Sequence, residues 1–152
     1  MGIDERLAVL GIELPPVTTP VANYVLTRRS GSLLFVSGHV CKENGQVVTG
    51  RLGDSLSTAR GQELARATLI DVLATVRDAV GSLDSVRTVI KLSAYVNSAE
   101  TFTEQSLVAN GASDLLVDVF GEERGRHARA AVGVAQLPLG AAVELEAIFE
   151  VA

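Results

Sequence analysis

Residues 125–152 read "GRHARAAVGVAQLPLGAAVELEAIFEVA". Apart from Arg129, small and β-branched residues run from Ala128 to Val134. A Leu-Pro-Leu-Gly segment interrupts them, and apolar residues then alternate with Glu144, Glu146 and Glu150. Such alternation marks a strand with one buried and one polar face. The segment therefore predicts two closing strands joined by a tight turn at Leu139-Gly140, which sets Arg129 opposite Glu150 and Glu144 opposite Ala135. Arg129 and Glu144 would then stand about six residues apart along the ladder, roughly 20 Å. Within one chain that is too far for one small-molecule pocket, whereas across a subunit interface the two could meet. An exposed Arg129–Glu150 pair would by itself contribute less than about 1 kcal/mol.

Upstream of this segment, "SVRTVIKLSAYVNS" predicts another strand, with Val86, Thr88, Ile90, Leu92, Ala94 and Val96 on one face. Before it, Ser57 can cap a long helix whose apolar stripe is Ala65, Leu69, Val72, Val76 and Ala79, closed by Gly81. After it, "TFTE" (101–104) has the form of a capping box and opens a second helical region. Asn110-Gly111 is expected to interrupt that region, and Gly121 to stop it. Strands are expected at 23–28 and 32–40, with a short one at 46–49 around an Asn44-Gly45 turn. Residues 1–19 hold a short leading helix begun by Asp4 and a Pro-rich connector; 20–152 form a single domain. The order β-β-(β)-α-β-α-β-β predicts an α+β two-layer sandwich, one mixed sheet with two long helices on one face. Ala131, Gly133 and Ala135 are expected on the uncovered face, a shallow surface that suits packing against another copy of the chain.

The composition narrows the function. The 152 residues are 47% hydrophobic and 20% charged, with a net charge of −5. That charge disfavours nucleic acid, whose binding rests on Lys and Arg contacts to phosphates. With no Trp and only six Tyr and Phe, base-stacking platforms are hard to build. A single cysteine, Cys41, excludes an intrachain disulfide and a Cys-based zinc site. No signal-peptide pattern opens the chain, and no apolar run reaches membrane-spanning length, so a cytoplasmic protein is expected.

Four motifs, in order, resemble the RidA/YjgF family of reactive-intermediate deaminases, many once labelled endoribonuclease L-PSP. "ARAAVGVAQLPLGAAVELEAIFEV" resembles the family's C-terminal signature, and "NYVLTRRSGSLLFVSGHV" its N-terminal block, in which a tyrosine precedes a Ser-Gly pair. "SVRTVIKLSAYVNSAETF" resembles the central strand and "VANGASDLLVDVFG" the helix with its asparagine. Together they span roughly residues 20–151, as a divergent branch of the family. The resemblance implies a chorismate-mutase-like homotrimer with sites in the clefts between subunits. It implies hydrolysis of 2-imino or 2-enamino acids, such as 2-aminoacrylate or 2-iminopropanoate, to 2-oxo acids and ammonia, with no cofactor and no metal.

By the same resemblance Arg129 binds the substrate carboxylate and Glu144 holds or activates a water, while Tyr24, Ser37, Gly38 and Asn110 line the cleft. Three positions depart from the family pattern: His39 where Gln is common, His127 where Pro is common, and Ala131 where some members have Cys. All three enter as further pocket candidates. The expected ligands are small 2-imino or 2-oxo carboxylates. The alternative is a non-catalytic trimer that senses such carboxylates through Arg129, and a ribonuclease is the least favoured reading.

Overall fold

The computed structural model describes all 152 residues. In chain order the elements are α1 (Ile3–Val9), β1 (Thr27–Ser30), β2 (Leu33–Val40), β3 (Lys42–Glu43), β4 (Gln46–Val47), α2 (Thr58–Val80), β5 (Val86–Asn97), α3 (Gln105–Gly125), β6 (Ala128–Val134) and β7 (Val143–Val151). Five strands form one sheet in the order β1-β2-β7-β5-β6, and β3 and β4 make a separate ribbon. The β5–β6 pair is parallel and the others are antiparallel, so the sheet is mixed. Helices α2 and α3 pack on each other and cover one face, which gives the expected α+β sandwich.

The predicted closing hairpin does not form. β6 pairs with β5, not with β7: Arg129 lies beside Leu92, and Glu150 lies between Leu33 and Thr88. Two physical demands separate the strands. First, Val143, Leu145, Ala147, Phe149 and Val151 are all at most 2% exposed, and a strand buried to that degree belongs at the sheet's centre. β6 has no buried residue and tolerates the edge. Second, α3 is the crossover that returns the chain parallel to β5. Leu139 and Gly140 do turn the chain, with left-handed φ of 60° and 72°. Ala141 and Ala142 are then drawn into the core, held by Asn97 Nδ2 donating to the Ala141 carbonyl and the Asn97 N–H to that of Ala142.

Parallel pairing also reverses the face assigned to Ala131 and Gly133. They align with the core residues Ala94 and Val96 and so face the helices, while Ala130 and Val132 face the other way. Ala135 lies beyond the end of β6. In β5, bulges at Val86/Thr88 and Val89/Lys91 shift the phase, burying Val89 and leaving Ile90 37% exposed.

The helices differ from expectation at their ends. Ser57 caps α2, with its hydroxyl accepting the Arg60 N–H, but Ala79 is exposed. Thr101 caps nothing: α3 starts at Gln105, and Glu104 instead accepts the Thr58 hydroxyl at 2.6 Å. Asn110-Gly111 does not break α3, because Gly111 marks the crossing with α2, where a Cβ would lie 2.1 Å from the Gln62 carbonyl oxygen. The kink falls at Gly121, at φ 83°. Leading helix α1 contributes Ile3 and Leu7 to the core. No helix is long and apolar enough to cross a membrane.

Candidate functional site

The Ser37-Gly38 pair sits on a β-bulge. Val36 pairs with Ala147 and His39 with Leu145, so β2 holds one residue more than β7 over this stretch. The extra residue turns His39 inward, toward α2. A carbonyl can only accept, so His39 Nδ1 bears the proton given to the Ser37 carbonyl at 2.7 Å, and Nε2 accepts from Thr75 Oγ1 at 2.9 Å. Burial lowers the His39 pKa, and burial likewise raises that of nearby Asp71. The Ser37 hydroxyl donates to the Val25 carbonyl at 2.7 Å, which ties the bulge to the segment holding Tyr24.

Gly38 faces Glu144. A Cβ at Gly38 would lie 2.7 Å from Glu144 Oε1, so the glycine makes room for the carboxylate. Burial first, and repulsion from Glu146 second, raise the Glu144 pKa. Glu146 accepts the Tyr95 hydroxyl at 2.5 Å, which pushes the phenol pKa up. Glu144 and Glu146 share the face of the sheet left uncovered by the helices, beside a groove of about 310 Å³ lined by Arg28, Phe35, Ser37, Lys91, Ser93 and Glu146 among others. The register sets Arg28, Phe35, Ile148 and Lys91 in one row across that face.

A second cluster stands on the helix side of the edge strand. Arg129 Nη1 donates to Asn110 Oδ1 at 2.8 Å and to Ser113 Oγ at 3.1 Å, and Nη2 donates to the Ser106 carbonyl at 3.3 Å. Three of the five guanidinium N–H groups are thus held by α3. Nε donates to nothing in the protein, and Arg129 is exposed, so that side of the group is open to a ligand. Two parallel donors on a fixed plane match a carboxylate. His127 joins the cluster through Ser113, with its Nε2 at 2.9 Å from the hydroxyl.

The predicted residues therefore divide in two. Tyr24, Ser37, Gly38, His39 and Glu144 gather around the bulge; Asn110, His127 and Arg129 gather between α3 and β6, with Ala131 two positions along. Arg129 and Glu144 point to opposite faces of the same sheet, since Arg129 aligns with buried Leu92 and Glu144 with Tyr95. One chain does not bring them together.

Sequence reasoning passed over Glu146, Tyr95, Arg28, Lys91 and Ser113. Ser113 had a signal, because it follows Asn110 by three positions and so shares its helix face. Tyr95 and Glu146 had none, since only the strand order sets them side by side.

Residues 4–150 match the model of the family described as "YjgF/chorismate mutase-like, putative endoribonuclease". The chain is 54% identical over 146 residues to Protein TCP17 of Trypanosoma cruzi, covering 95% of this chain and 91% of that one. It superposes on the crystal structure of Atu1372, a protein of unknown function from Agrobacterium tumefaciens, with a TM-score of 0.90 and 47% identity, over 99% of this chain and 94% of that one. A "putative endoribonuclease" from Shewanella oneidensis matches with a TM-score of 0.94 and 28% identity, over 99% and 100% of the two chains.

Proposed function

The chain belongs to the YjgF/chorismate mutase-like family, and from that premise we propose that it hydrolyses reactive 2-imino and 2-enamino acids to 2-oxo acids and ammonia. The observation that carries this reading is the Arg129 guanidinium, fixed on α3 by three contacts while its Nε has no partner and the residue is exposed. Arg129 and Glu144 face opposite sides of one sheet, so a site that uses both takes them from two copies of the chain. The homotrimer, with a cleft between each pair of subunits, supplies that arrangement.

The chemistry asks little of the protein. The substrate carboxylate docks on Arg129, which fixes the imine carbon relative to Glu144 of the neighbouring subunit. Water adds to that electrophilic carbon while Glu144 takes a proton from the water and delivers it to the imine nitrogen. In the resulting carbinolamine Glu144 takes the hydroxyl proton and passes it to the amine, so the C=O bond forms, the C–N bond breaks and ammonia leaves. An acid with a raised pKa is suited to accept a proton and return it within each step. An endoribonuclease, the activity in some relatives' names, finds less support: a net charge of −5 opposes binding to a phosphate backbone.

The test generates 2-imino acids in place with an amino-acid oxidase and traps unhydrolysed imine with semicarbazide. Wild type should suppress trapping, and Arg129→Ala should not, with its oligomeric state unchanged. Absence of suppression by wild type across several side chains would remove the hydrolase reading and leave carboxylate sensing.

A further inference from the structure

With a neutral His127 imidazole, the contacts behind Arg129 form a directed chain with one self-consistent proton arrangement. The Gly125 carbonyl can only accept, so His127 Nδ1, 2.7 Å away, carries a proton. The Arg129 guanidinium can only donate, so Ser113 Oγ receives its N–H at 3.1 Å. The Ser113 hydroxyl proton is then free to point at His127 Nε2, 2.9 Å away, which accepts it through a lone pair. Each polar atom has a partner of the right kind in the sequence Arg129 to Ser113 to His127 to the Gly125 carbonyl.

We infer that His127 is a positioning residue: through Ser113 it fixes Nη1 of Arg129 and so decides which edge of the guanidinium faces the ligand. The charged groups around the chain are Asp114, Asp118, Glu122 and Arg126, which line the same open cavity beside α3. Glu122 and Arg126 are taken up with each other at 2.7 Å. Asn110 holds the other Nη1 proton. Without an acceptor at position 127 the Ser113 hydroxyl turns elsewhere, and the guanidinium can rotate about its long side chain. The ligand carboxylate then meets a mixture of edges instead of one two-donor fork. The inference rests on the proposed role of Arg129 in carboxylate binding, but it does not need imine turnover.

The experiment combines nitrogen-15 NMR of the imidazole with titration of 2-oxobutanoate, a product-like carboxylate, into the intact oligomer. Wild type should show a proton on Nδ1 and a hydrogen-bonded lone pair on Nε2, and Ser113→Ala should shift the Nε2 signal alone. Ser113→Ala and His127→Phe should each weaken 2-oxobutanoate binding about tenfold, the scale of one charge-assisted hydrogen bond lost. Ser113→Thr, which keeps the hydroxyl, and His127→Gln, which keeps an acceptor, should restore it. In imine turnover the loss should appear in KM more than in kcat.

An Nε2–H tautomer, or unchanged binding in both Ser113→Ala and His127→Phe, would overturn the inference and leave the hydrolase reading standing. Absence of imine turnover in wild type with the binding losses intact would do the reverse. A wild type that binds no 2-oxobutanoate would sink both.

Discussion

Gly38 and Glu144 are in contact across the β2–β7 pair, with the position of a Cβ at Gly38 only 2.7 Å from Glu144 Oε1. The atom in the way is the end of a flexible side chain, not backbone, so Gly38→Ala should fold almost as well as wild type. We expect a stability loss below about 1 kcal/mol, as for substitutions that leave the core intact. The carboxylate, however, must swing away from its place beside the bulge. On the proposed mechanism kcat/KM for imine hydrolysis should fall about tenfold or more, since small misplacements of a reacting group are costly. Thermal unfolding and the trapping assay on the same preparation separate the two effects. Unchanged turnover would argue that Glu144 does not act from this position.

On the proposed mechanism Glu144 gives the pH profile a definite sign. Burial and the neighbouring Glu146 charge both raise its pKa, so its base form appears at a higher pH than for an ordinary glutamate. The acid limb of the kcat/KM profile should accordingly sit above the usual carboxylate range. Glu146→Gln removes the second cause but not the first, and should move that limb toward lower pH without abolishing it. Glu144→Gln should abolish it. A limb unmoved by Glu146→Gln would show that another group titrates there.

The sandwich and the two groups of candidate residues were legible in the sequence for different reasons. Periodicity and end signals identified α2, because Leu69, Val72 and Val76 repeat at helical spacing and Ser57 and Gly81 bound them. The α+β architecture followed from the order of elements. The pairing of β6 did not, since alternation fixes which face a residue takes but not which strand lies beside it. Two strands that flank a left-handed turn read as a hairpin until the burial of Phe149, Leu145 and Val143 is seen to require the sheet's centre. The same ambiguity concealed the Tyr95–Glu146 contact. Motif resemblance named Arg129 and Asn110 for one cleft, and the two are hydrogen-bonded at 2.8 Å, while the contact with Ser113 needed the rotamer of Arg129.

His39 predicts a stability effect at mildly acidic pH. Burial depresses its folded-state pKa below the ordinary imidazole value of 6.5, so the unfolded chain takes up a proton that the folded chain refuses. Stability is complete above that ordinary value and is lost as pH falls toward the folded pKa. Urea midpoints measured at about pH 7.5 and about pH 5.5 should therefore differ more for wild type than for His39→Gln. Equal pH sensitivity in the two proteins would mean that His39 does not report on folding in this window.

Gly111 tests the helix layer that supports Arg129. A Cβ there would lie 2.1 Å from the Gln62 carbonyl oxygen, and both atoms belong to helix backbones that cannot swing aside. Gly111→Ala should force α2 and α3 apart and cost about 3 kcal/mol, outweighing the gain in helix propensity. Thermal unfolding should fall by roughly 10 °C. A stabilised variant would mean that the crossing is looser than these distances require.

Arg129→Lys separates charge from shape at the proposed carboxylate anchor. Lysine keeps the positive charge but offers one compact ammonium in place of a planar fork, and it cannot hold Asn110, Ser113 and a ligand together in one plane. If the anchor works only as a local charge, the variant should bind 2-oxobutanoate nearly as well as wild type. The three fixed contacts on α3 argue otherwise, because they would have no purpose for a charge without direction. We expect KM for the imine to rise about tenfold or more, the scale of one charge-assisted hydrogen bond, with a smaller change in kcat. Added salt should weaken the residual lysine-mediated binding more steeply than that of wild type, since a point charge in water is screened more readily than a bidentate pair. Equal salt sensitivity and an unchanged KM would show that the orientation of the guanidinium is not what the site uses.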